Sequence, residues 1–411
     1  MIILALNCGS SSVKFKLYDW KNRKTLCHGA VERIGIPGTI IKLYASNIFS
    51  QEENCQDHKA ALSLIIKTLT HQAGINLNDI SAIGHRVVHG GEQFHSSVKI
   101  TDDVLAAIKA VQDLAPLHNP PNILGIEAAK EIFSNIPQIA VFDTAFHQTM
   151  PEKAYLYAVP YEWYKMYGVR RYGFHGTSHL YVSRRAAVML KKTPQETNVI
   201  TMHIGNGVSI AAVEKGISVD TSMGLTPLEG AVMGTRCGDI DPAIILFMIE
   251  KEGFYADQID SILNKKSGLL GITGKFMDRR DIEKGASEGD ERCKLALEIE
   301  AYRLKKYIGA YAAALGKVDA VVFTAGAGEK NSLLRKMVLK GMENLGLVLD
   351  EKKNQNCKGE KETIISQDSS PTKIFVIPTD EEIVFIEDVV AILENRYDTH
   401  TKFKYSFEGE K

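Results

Sequence analysis

Two turns of small residues are the segments of this chain whose composition best suits phosphate binding. Residues 9–12 (Gly-Ser-Ser-Ser) and residues 205–207 (Gly-Asn-Gly) each lie between two short apolar runs with alternating side chains, which predicts a hairpin. Small residues let backbone N–H groups approach an anion, and Ser and Asn add side-chain donors. Either turn alone is more commonly an ordinary hairpin, but the repetition favours two phosphate-binding turns. A Walker A loop is excluded because no Gly-Lys-Ser/Thr follows.

Cationic and neutral donors are concentrated in polar segments that contain few acids. Arg86, His175 and Arg236 supply donors, whereas Asp143 and Glu381 are the acids in comparable positions. Such an inventory suits phosphoryl transfer, in which the protein positions the reactants and stabilises charge on the phosphoryl oxygens while Mg²⁺ bridges phosphates. The segments that carry these residues are 84–91, 117–122, 142–148, 172–179 and 233–242.

Metalloprotease and serine hydrolase chemistry fit the sequence less well. His175 and His179 are four residues apart but lack the glutamate of an HExxH zinc motif, and no GxSxG nucleophile elbow occurs. A single histidine is more often structural than catalytic, and this is our expectation for His85, His89 and His147, and for His203 on its residues alone.

Composition indicates a protein of two domains without a nucleic-acid surface. The chain has 411 residues and a net charge of −1 with acids and bases interspersed. Its six cysteines are scattered without a CxxC pair, so we expect neither a zinc site nor disulfides. We expect reduced thiols, as in the cytoplasm. The N-terminal apolar run is too short for a signal peptide, and no stretch approaches the length of a membrane span. We expect a cytoplasmic protein with no membrane partner.

Apolar β-type runs alternate with helical patterns along the chain, which is typical of an α/β fold. In such sheets, functional sites lie at the carboxyl ends of strands. A domain boundary is expected near Pro151. The patterns predict strands at 139–142, 318–323 and 373–378, and helices at 60–70, 102–114, 291–315, 331–345 and 383–395.

The ordered series of motifs, from residues 6–15 to residues 378–382, resembles the acetokinase family of the sugar kinase, Hsc70 and actin superfamily. The resemblance covers nearly the whole chain. It implies two actin-like (ribonuclease H-like) domains, each with a mixed central sheet flanked by helices, and an active-site cleft between them. The first domain would span 1–150, completed by the C-terminal helix at about 383–411, and the second 151–382. It further implies a homodimer and the reversible, ATP-dependent phosphorylation of acetate to acetyl phosphate.

The resemblance also implies roles for individual residues. Arg86 would hold the substrate carboxylate, and His175 and Arg236 would stabilise the transferring phosphoryl group. Asp143 matches the family's proton donor and acceptor, but an ionised carboxylate nucleophile needs no base, so we expect Asp143 to orient Arg86 or a metal-bound water. Asn7 and Glu381, with Glu382 as the alternative, would bind Mg²⁺ or Mn²⁺. Ser10, Ser12 and Lys14 would face the phosphates.

The same resemblance implies which residues line the acetate pocket and which residues bind the nucleotide. Apolar residues beside the catalytic ones would restrict the acyl group, so that acetate is preferred, propionate tolerated and butyrate poor. The acetate pocket would consist of Arg86, Val88, Leu117, His118, Phe174 and Pro227. ATP and ADP would be held by His203, Ile204, Gly205, Asn206 and Gly207, by Asp278, Arg279 and Arg280, and by Gly326, Ala327, Gly328, Glu329 and Asn331.

The chain departs from the family pattern in two of the nucleotide segments. Where the family commonly has Ser-Ser-Asp before an Arg-Asp pair, residues 275–281 of this chain read Lys-Phe-Met-Asp-Arg-Arg-Asp. Lys330 looks like an insertion in the Gly-x-Gly-Glu-Asn-Ser motif. These departures leave the phosphoryl donor open. A propionate or butyrate kinase, and a nucleotide-regulated binding protein of the same superfamily, remain alternative functions, although several donors around a second substrate argue against the latter.

Overall fold

A computed structural model of the chain describes residues 1–116 and 118–409. It divides into two compact units. Unit 1 comprises Met1–Gln148 and Asp380–Ser406, and unit 2 comprises Thr149–Thr379 together with the described residues from Phe407 onward. The chain therefore returns to unit 1 at Asp380, slightly before the expected residue 383. Residues 407–409 lie in unit 2 rather than with the C-terminal helix.

Unit 1 is built on a mixed sheet with the strand order β5-β4-β3-β2-β1-β6-β8-β7. Strands β1 to β5 pair antiparallel, β1, β6 and β8 pair parallel, and β7 is an antiparallel edge strand. The strands are β1 (Ile2–Gly9), β2 (Ser12–Asp19), β3 (Lys24–Glu32), β4 (Ile40–Tyr44), β5 (Ile48–Glu52), β6 (Ile80–Val87), β7 (Val98–Lys99) and β8 (Gln138–Phe142). The helices are α1 (His58–Ala73), α2 (Asp102–Ala110), α3 (Asn119–Ile132) and, from the end of the chain, α15 (Glu381–Leu393).

Unit 2 is built on a second mixed sheet with the strand order β11-β10-β9-β12-β14-β13. Its strands are β9 (Asn198–Ile204), β10 (Val208–Glu214), β11 (Ile217–Thr221), β12 (Ala320–Thr324), β13 (Thr363–Ile364) and β14 (Lys373–Val376). Its helices are α4 (Glu152–Tyr155), α5 (Tyr161–Tyr167), α6 (Gly176–Met189), α7 (Ala243–Glu252), α8 (Ala256–Lys265), α9 (Gly268–Thr273), α10 (Arg279–Ser287), α11 (Glu291–Leu315), α12 (Ala325–Lys330), α13 (Ser332–Leu339) and α14 (Glu351–Asn356).

The two sheets share one plan. In each, three antiparallel strands (β3-β2-β1 and β11-β10-β9) are followed by two strands parallel to the last of them (β6-β8 and β12-β14). Strands β8 and β12 are buried at every residue, as expected for parallel strands covered on both faces. The predicted α/β class with two mixed sheets flanked by helices is confirmed, and so are both hairpins, with Gly9 opposite Ser12 and Ile204 opposite Val208.

Most predicted elements are present with shifted ends. The helix predicted at 102–114 ends at Ala110, and residues 112–114 form a separate 3₁₀ turn. Ala115, which precedes a proline, is outside the helical region. The helix predicted at 331–345 ends at Leu339, before Gly341, whose φ of +75° is left-handed. The predicted 291–315 helix agrees with α11, which Asp290 caps through the N–H groups of Arg292 and Cys293.

Helices cover both faces of the sheet of unit 1. Helices α1 and α3 enclose one apolar core with β1 to β4, and α15 packs on the other face, where Phe385 and Val389 lie against Ile3 and Ala82. Gly84 of β6 faces α15 so closely that a Cβ there would overlap the ring of Phe385. The absence of a side chain at this position lets α15 lie directly on the parallel strands.

The segment after α15 is fastened to unit 1 by a buried carboxylate. Asp388 accepts hydrogen bonds from Ser97 (2.6 Å), Tyr405 (2.8 Å) and Tyr397 (3.3 Å). Burial raises the pKa of Asp388 to about 7. Within the described ranges, no helix combines the length and the apolar character that crossing a membrane requires.

Candidate active site

The carboxyl ends of β6 and β8 bring Arg86 and Asp143 together. Nε of Arg86 donates to Oδ1 of Asp143 (2.9 Å) and Nη2 donates to Oδ2 (2.6 Å), which is a bidentate pair. The side chain of Asp143 is 2% exposed and that of Arg86 is 30% exposed. Asp143 raises the pKa of Arg86, with a smaller contribution from Glu381. The arginine is thus held permanently charged, with its outer edge reachable from solvent.

Two asparagines of α3, to which the sequence interpretation gave no role, position the strand ends beside Arg86. Asn122 accepts from the N–H of Val88 (3.0 Å) and donates to the carbonyl of Cys8 (2.6 Å), which ties the end of β6 to the end of β1. Asn119 pairs in both directions with the backbone of His89, at 3.0 and 2.9 Å. Both asparagines are buried, so their removal would leave unpaired backbone groups inside the unit.

The predicted acetate-pocket residues are divided between the units. In unit 1, Val88 is 7% exposed and follows β6, and His118 is at the N-terminal end of α3. In unit 2, Phe174 is buried, and the carbonyl of Pro227 accepts from Nη1 of Arg236 at 2.8 Å. Leu117 lies outside the described residues.

The predicted metal ligands are both in unit 1. Asn7 is half-buried on β1, opposite Lys14 of β2, and Glu381 is the first residue of α15. Glu381 is near enough to Arg86 to contribute to its raised pKa, whereas Glu382 forms an ion pair with Lys16. Of the two glutamates, the structure therefore places Glu381 on the side of Arg86. Ser10 and Lys14 are exposed and Ser12 is half-buried, around the tip of the first hairpin.

In unit 2, two donor groups converge on the second hairpin. His175 precedes α6 with φ = +57°, an uncommon left-handed conformation for a residue with a side chain. A Cβ placed on Gly207 would lie 3.6 Å from Nε2 of His175 and 3.6 Å from Nη2 of Arg236. The two donors therefore face the same side of the Gly207 backbone.

Arg236 differs from Arg171 and Arg279 of the same unit in its partners. It donates to the carbonyl of Pro227 and contacts the sulfur of Met233, and in the part of the chain that the structure describes it forms no ion pair with a carboxylate. Burial lowers the pKa of Arg236. By contrast, Arg279 is paired with Glu300 and Arg171 with Glu229. A half-buried guanidinium without a counter-charge is suited to receive an anionic ligand.

A cavity of about 560 Å³ opens beside the second hairpin within unit 2. Its size is within the range of small-molecule and cofactor pockets. Exposed Met277 and Leu333 contribute apolar surface to it, and Lys330, the apparent insertion, lines it. Of the predicted nucleotide residues, it is lined by Gly205, Asn206, Asp278, Arg279, Arg280, Gly326, Ala327 and Asn331.

Four other predicted nucleotide residues, His203, Ile204, Gly328 and Glu329, do not line the cavity. Oε1 of Glu329 accepts from the N–H groups of Ala325 (2.8 Å) and Thr379 (3.0 Å), so this carboxylate holds the ends of β12 and β14. Ile204 and Gly328 are buried. His203 is buried, bonds the hydroxyl of Ser178 and stacks on His175 with ring centroids 4.1 Å apart.

Comparison with known proteins identifies the family. The model described as the acetokinase family matches residues 2–387. The chain belongs to the acetokinase family. Acetate kinase of Geobacter sulfurreducens is 62% identical over 413 residues, covering 99% of this chain and 98% of that protein.

Solved structures of the same family have the same fold. The crystal structure of Porphyromonas gingivalis acetate kinase matches with a TM-score of 0.91 at 46% identity, covering 95% of this chain and 99% of that one. A propionate kinase from Francisella tularensis matches with a TM-score of 0.88 at 44% identity, covering 94% and 98%. The actin-like fold that the sequence predicted is therefore confirmed for this chain.

Replacing Gly207 by alanine tests whether its exposed face receives phosphate. The new methyl group would be in ordinary contact with His175 and Arg236, so the fold should tolerate it, but it would occupy the space that the two donors share. We expect the Kd for ATP to rise about 10- to 100-fold, because overpacking a close site costs about 1–3 kcal/mol. Isothermal calorimetry measures this effect.

Gly309→Ala is the matched control, since Gly309 lies on α11 and a Cβ there would meet nothing within 4 Å. It should leave ATP affinity unchanged. An unaltered affinity in Gly207→Ala would show that this face of the hairpin does not receive the phosphates.

Proposed function

We propose that this chain catalyses the reversible phosphorylation of acetate by ATP, giving acetyl phosphate and ADP. The observation that carries the proposal is the convergence of His175 Nε2 and Arg236 Nη2 on the Gly207 backbone, with no ion pair between Arg236 and any carboxylate of the described residues. Family membership and the acetate kinases among the relatives support acetate as the acceptor.

Arg86 would bind the acetate carboxylate. Asp143 accepts from the Nε–H and from one N–H of Nη2, so the Nη1 side of the planar guanidinium remains for a second carboxylate. An acetate oxygen then attacks the γ-phosphorus of ATP, an O–P bond forms, and the bond from that phosphorus to the bridging oxygen breaks with its electrons leaving on ADP. No proton moves, because both carboxylate and leaving phosphate are ionised at neutral pH.

Asp143 has a positioning role in this reaction. Its two oxygens are engaged by Arg86, and it is buried behind that side chain. A group in that position fixes the direction of the guanidinium and offsets part of its charge, which leaves Arg86 able to release the product. A general base would act on a proton that the acetate nucleophile does not carry.

The donors of unit 2 would stabilise the charge that develops on the phosphoryl oxygens. His175 and Arg236 are both fixed before the ligand arrives, one by its neighbours in the fold and the other by Pro227 and Met233. Preorganised donors of this kind contribute more than flexible ones because they need no rearrangement during the reaction. The cavity lined by Met277, Arg280 and Leu333 would hold the nucleoside of ATP or ADP.

Mg²⁺, with Mn²⁺ as an alternative, would be held mainly by the nucleotide. Within 1–116 and 118–409, no group of three or more His, Cys, Asp or Glu side chains is arranged to hold a metal ion. The oxygen donors Asn7 and Glu381 fit Mg²⁺, which in phosphoryl-transfer sites takes one or two protein ligands, the phosphates and several waters. When bound, the ion neutralises phosphate charge.

An acyl-phosphate assay tests the proposed reaction. Incubation with Mg-ATP, acetate and hydroxylamine should yield acetohydroxamate, with kcat/KM falling from acetate to propionate to butyrate, because each added methylene must fit a close-packed pocket. Arg86→Ala should lower kcat about 10³- to 10⁵-fold. Asp143→Asn keeps the size of the side chain but loses the charge that fixes Arg86, so kcat should fall less than in Arg86→Ala.

The outcomes separate the alternatives. Equal or better turnover of butyrate would indicate a butyrate kinase with a wider pocket. ATP hydrolysis with no hydroxamate from any of the three acids would indicate a nucleotide-regulated binding protein, and would refute the proposal.

A magnesium titration distinguishes the two glutamates at the start of α15. Glu381→Gln should raise the Mg²⁺ concentration needed for half-maximal rate while changing the KM for acetate little, because it weakens a ligand of the ion. Glu382→Gln is the matched control, since Glu382 is engaged by Lys16. The reverse result, with only Glu382→Gln shifting the titration, would move the metal contact to Glu382.

We further propose that the chain is a cytoplasmic homodimer in which α7 of each copy is covered by a second copy. Helix α7 begins with seven apolar residues, and none of its ten residues is buried. Leu246 is 66% exposed and Phe247 56% exposed. Exposed apolar surface of this kind marks an interaction site. Six thiols without a disulfide between them, all six within the described residues, fit a reducing compartment.

Light scattering coupled to gel filtration tests the dimer. Wild type should have twice the mass of one chain, and Leu246→Glu should shift toward the monomer because a carboxylate would be buried in the contact. Leu124→Glu, at a position of α3 that is 50% exposed, should leave the dimer intact. A monomeric wild type would contradict the proposal.

A further inference from the structure

A hydrogen-bonded row of four side chains leads from the interior of unit 2 to His175. The hydroxyl of Thr201 on β9 lies 2.7 Å from Nδ1 of His179, whose Nε2 lies 2.7 Å from Oγ of Ser209 on β10. The same Oγ lies 2.8 Å from Nδ1 of His175. Thr201, His179 and Ser209 are fully buried. These four residues are called the relay below.

The hydrogen atoms of the relay admit two directions. A serine hydroxyl has a single hydrogen, so it can donate to only one of the two imidazoles that it joins, and the other imidazole must donate to it. In one direction, Thr201 donates to His179, His179 to Ser209, and Ser209 to His175. In the other, every bond of the row is reversed.

The end of the row decides between the two directions. If the bonds ran from His175 to Thr201, the O–H hydrogen of Thr201 would need an acceptor, and among the described residues its side chain bonds only His179. Thr201 is fully buried, and an unsatisfied buried hydroxyl is unfavourable. In the opposite direction every hydroxyl hydrogen of the row is used, so the bonds run from Thr201 toward His175.

We infer that Thr201, His179 and Ser209 are positioning residues that hold His175 as the tautomer with its hydrogen on Nε2. Ser209 donates to Nδ1, which leaves the hydrogen on the nitrogen that lies beside Arg236 at the Gly207 backbone. His175 then presents a neutral N–H donor without having to be protonated. The stacked ring of His203 and the left-handed backbone hold the plane of the imidazole. The consequence for catalysis rests on the proposed phosphoryl transfer, whereas the tautomer does not.

Nitrogen NMR of the full-length protein labelled with ¹⁵N-histidine tests the tautomer directly. In wild type, the signals of His175, assigned with His175→Gln, should show a hydrogen on Nε2 and none on Nδ1. Thr201→Val keeps the shape of the side chain and removes the donor that sets the direction, so His175 should become a mixture of tautomers. Thr201→Ser restores a hydroxyl and should restore the Nε2-protonated form.

Kinetic measurements on the same two variants test whether the tautomer of His175 affects the reaction rate. Thr201→Val should lower kcat at least about 10-fold, since the wrong tautomer of a catalytic imidazole is costly. The KM values for ATP and acetate should stay within about two-fold, because the loss affects the transition state. Thr201→Ser should recover most of the lost kcat.

The results separate failure of the inference from failure of the proposed function. A hydrogen on Nδ1 of His175 in wild type, or a Thr201→Val variant with unchanged tautomer and kcat, overturns the inference whatever reaction the protein catalyses. The predicted tautomers in a protein that forms no acyl phosphate would support the relay and refute the proposed function.

Discussion

Parallel pairing of the central strands is the constraint on which the rest of each unit depends. Because β1, β6 and β8 run in the same direction, their carboxyl ends meet at one edge, where Asn7, Arg86 and Asp143 lie. The same pairing of β9, β12 and β14 brings the Gly205–Gly207 turn beside the α12 segment and Thr379. The candidate residues at these strand ends are distant in sequence, and the parallel pairing brings them to one edge of each sheet.

Each edge is stabilised by polar side chains that join neighbouring strand ends. Asn122 bridges β1 and β6, Asp143 of the β8 end pairs with Arg86 of β6, and Glu329 holds β12 and β14. All are buried or half-buried, where leaving a polar partner unsatisfied is costly, so each contact favours the observed pairing of strand ends. The donors that would meet substrate are therefore fixed by groups that do not meet it.

The sequence predicted the features that depend on local pattern. Alternation predicted both hairpins, and the cap at Asp290 with the glycine at 316 limits α11 to the predicted helix. Pairings across long separations could not be predicted from residue types. Asn122 donates to the carbonyl of Cys8, 114 residues away. The only local signal in the sequence is that Asn122 is a polar residue directly after two prolines. Ser209 was detectable only as the one hydroxyl among the apolar residues 208–213, and its two histidine partners depend on where α6 packs.

Arg86 held by Asp143 and His175 held by Ser209 fit the proposed reaction, in which the protein orients charge and transfers no proton. The solvent deuterium isotope effect on the phosphoryl-transfer step, measured by rapid quench in a single turnover, tests this claim most directly. We expect an effect close to unity, since acetate attacks as the ionised carboxylate. A large normal effect that disappears in Asp143→Asn would contradict it, because it would show that Asp143 moves a proton in the step.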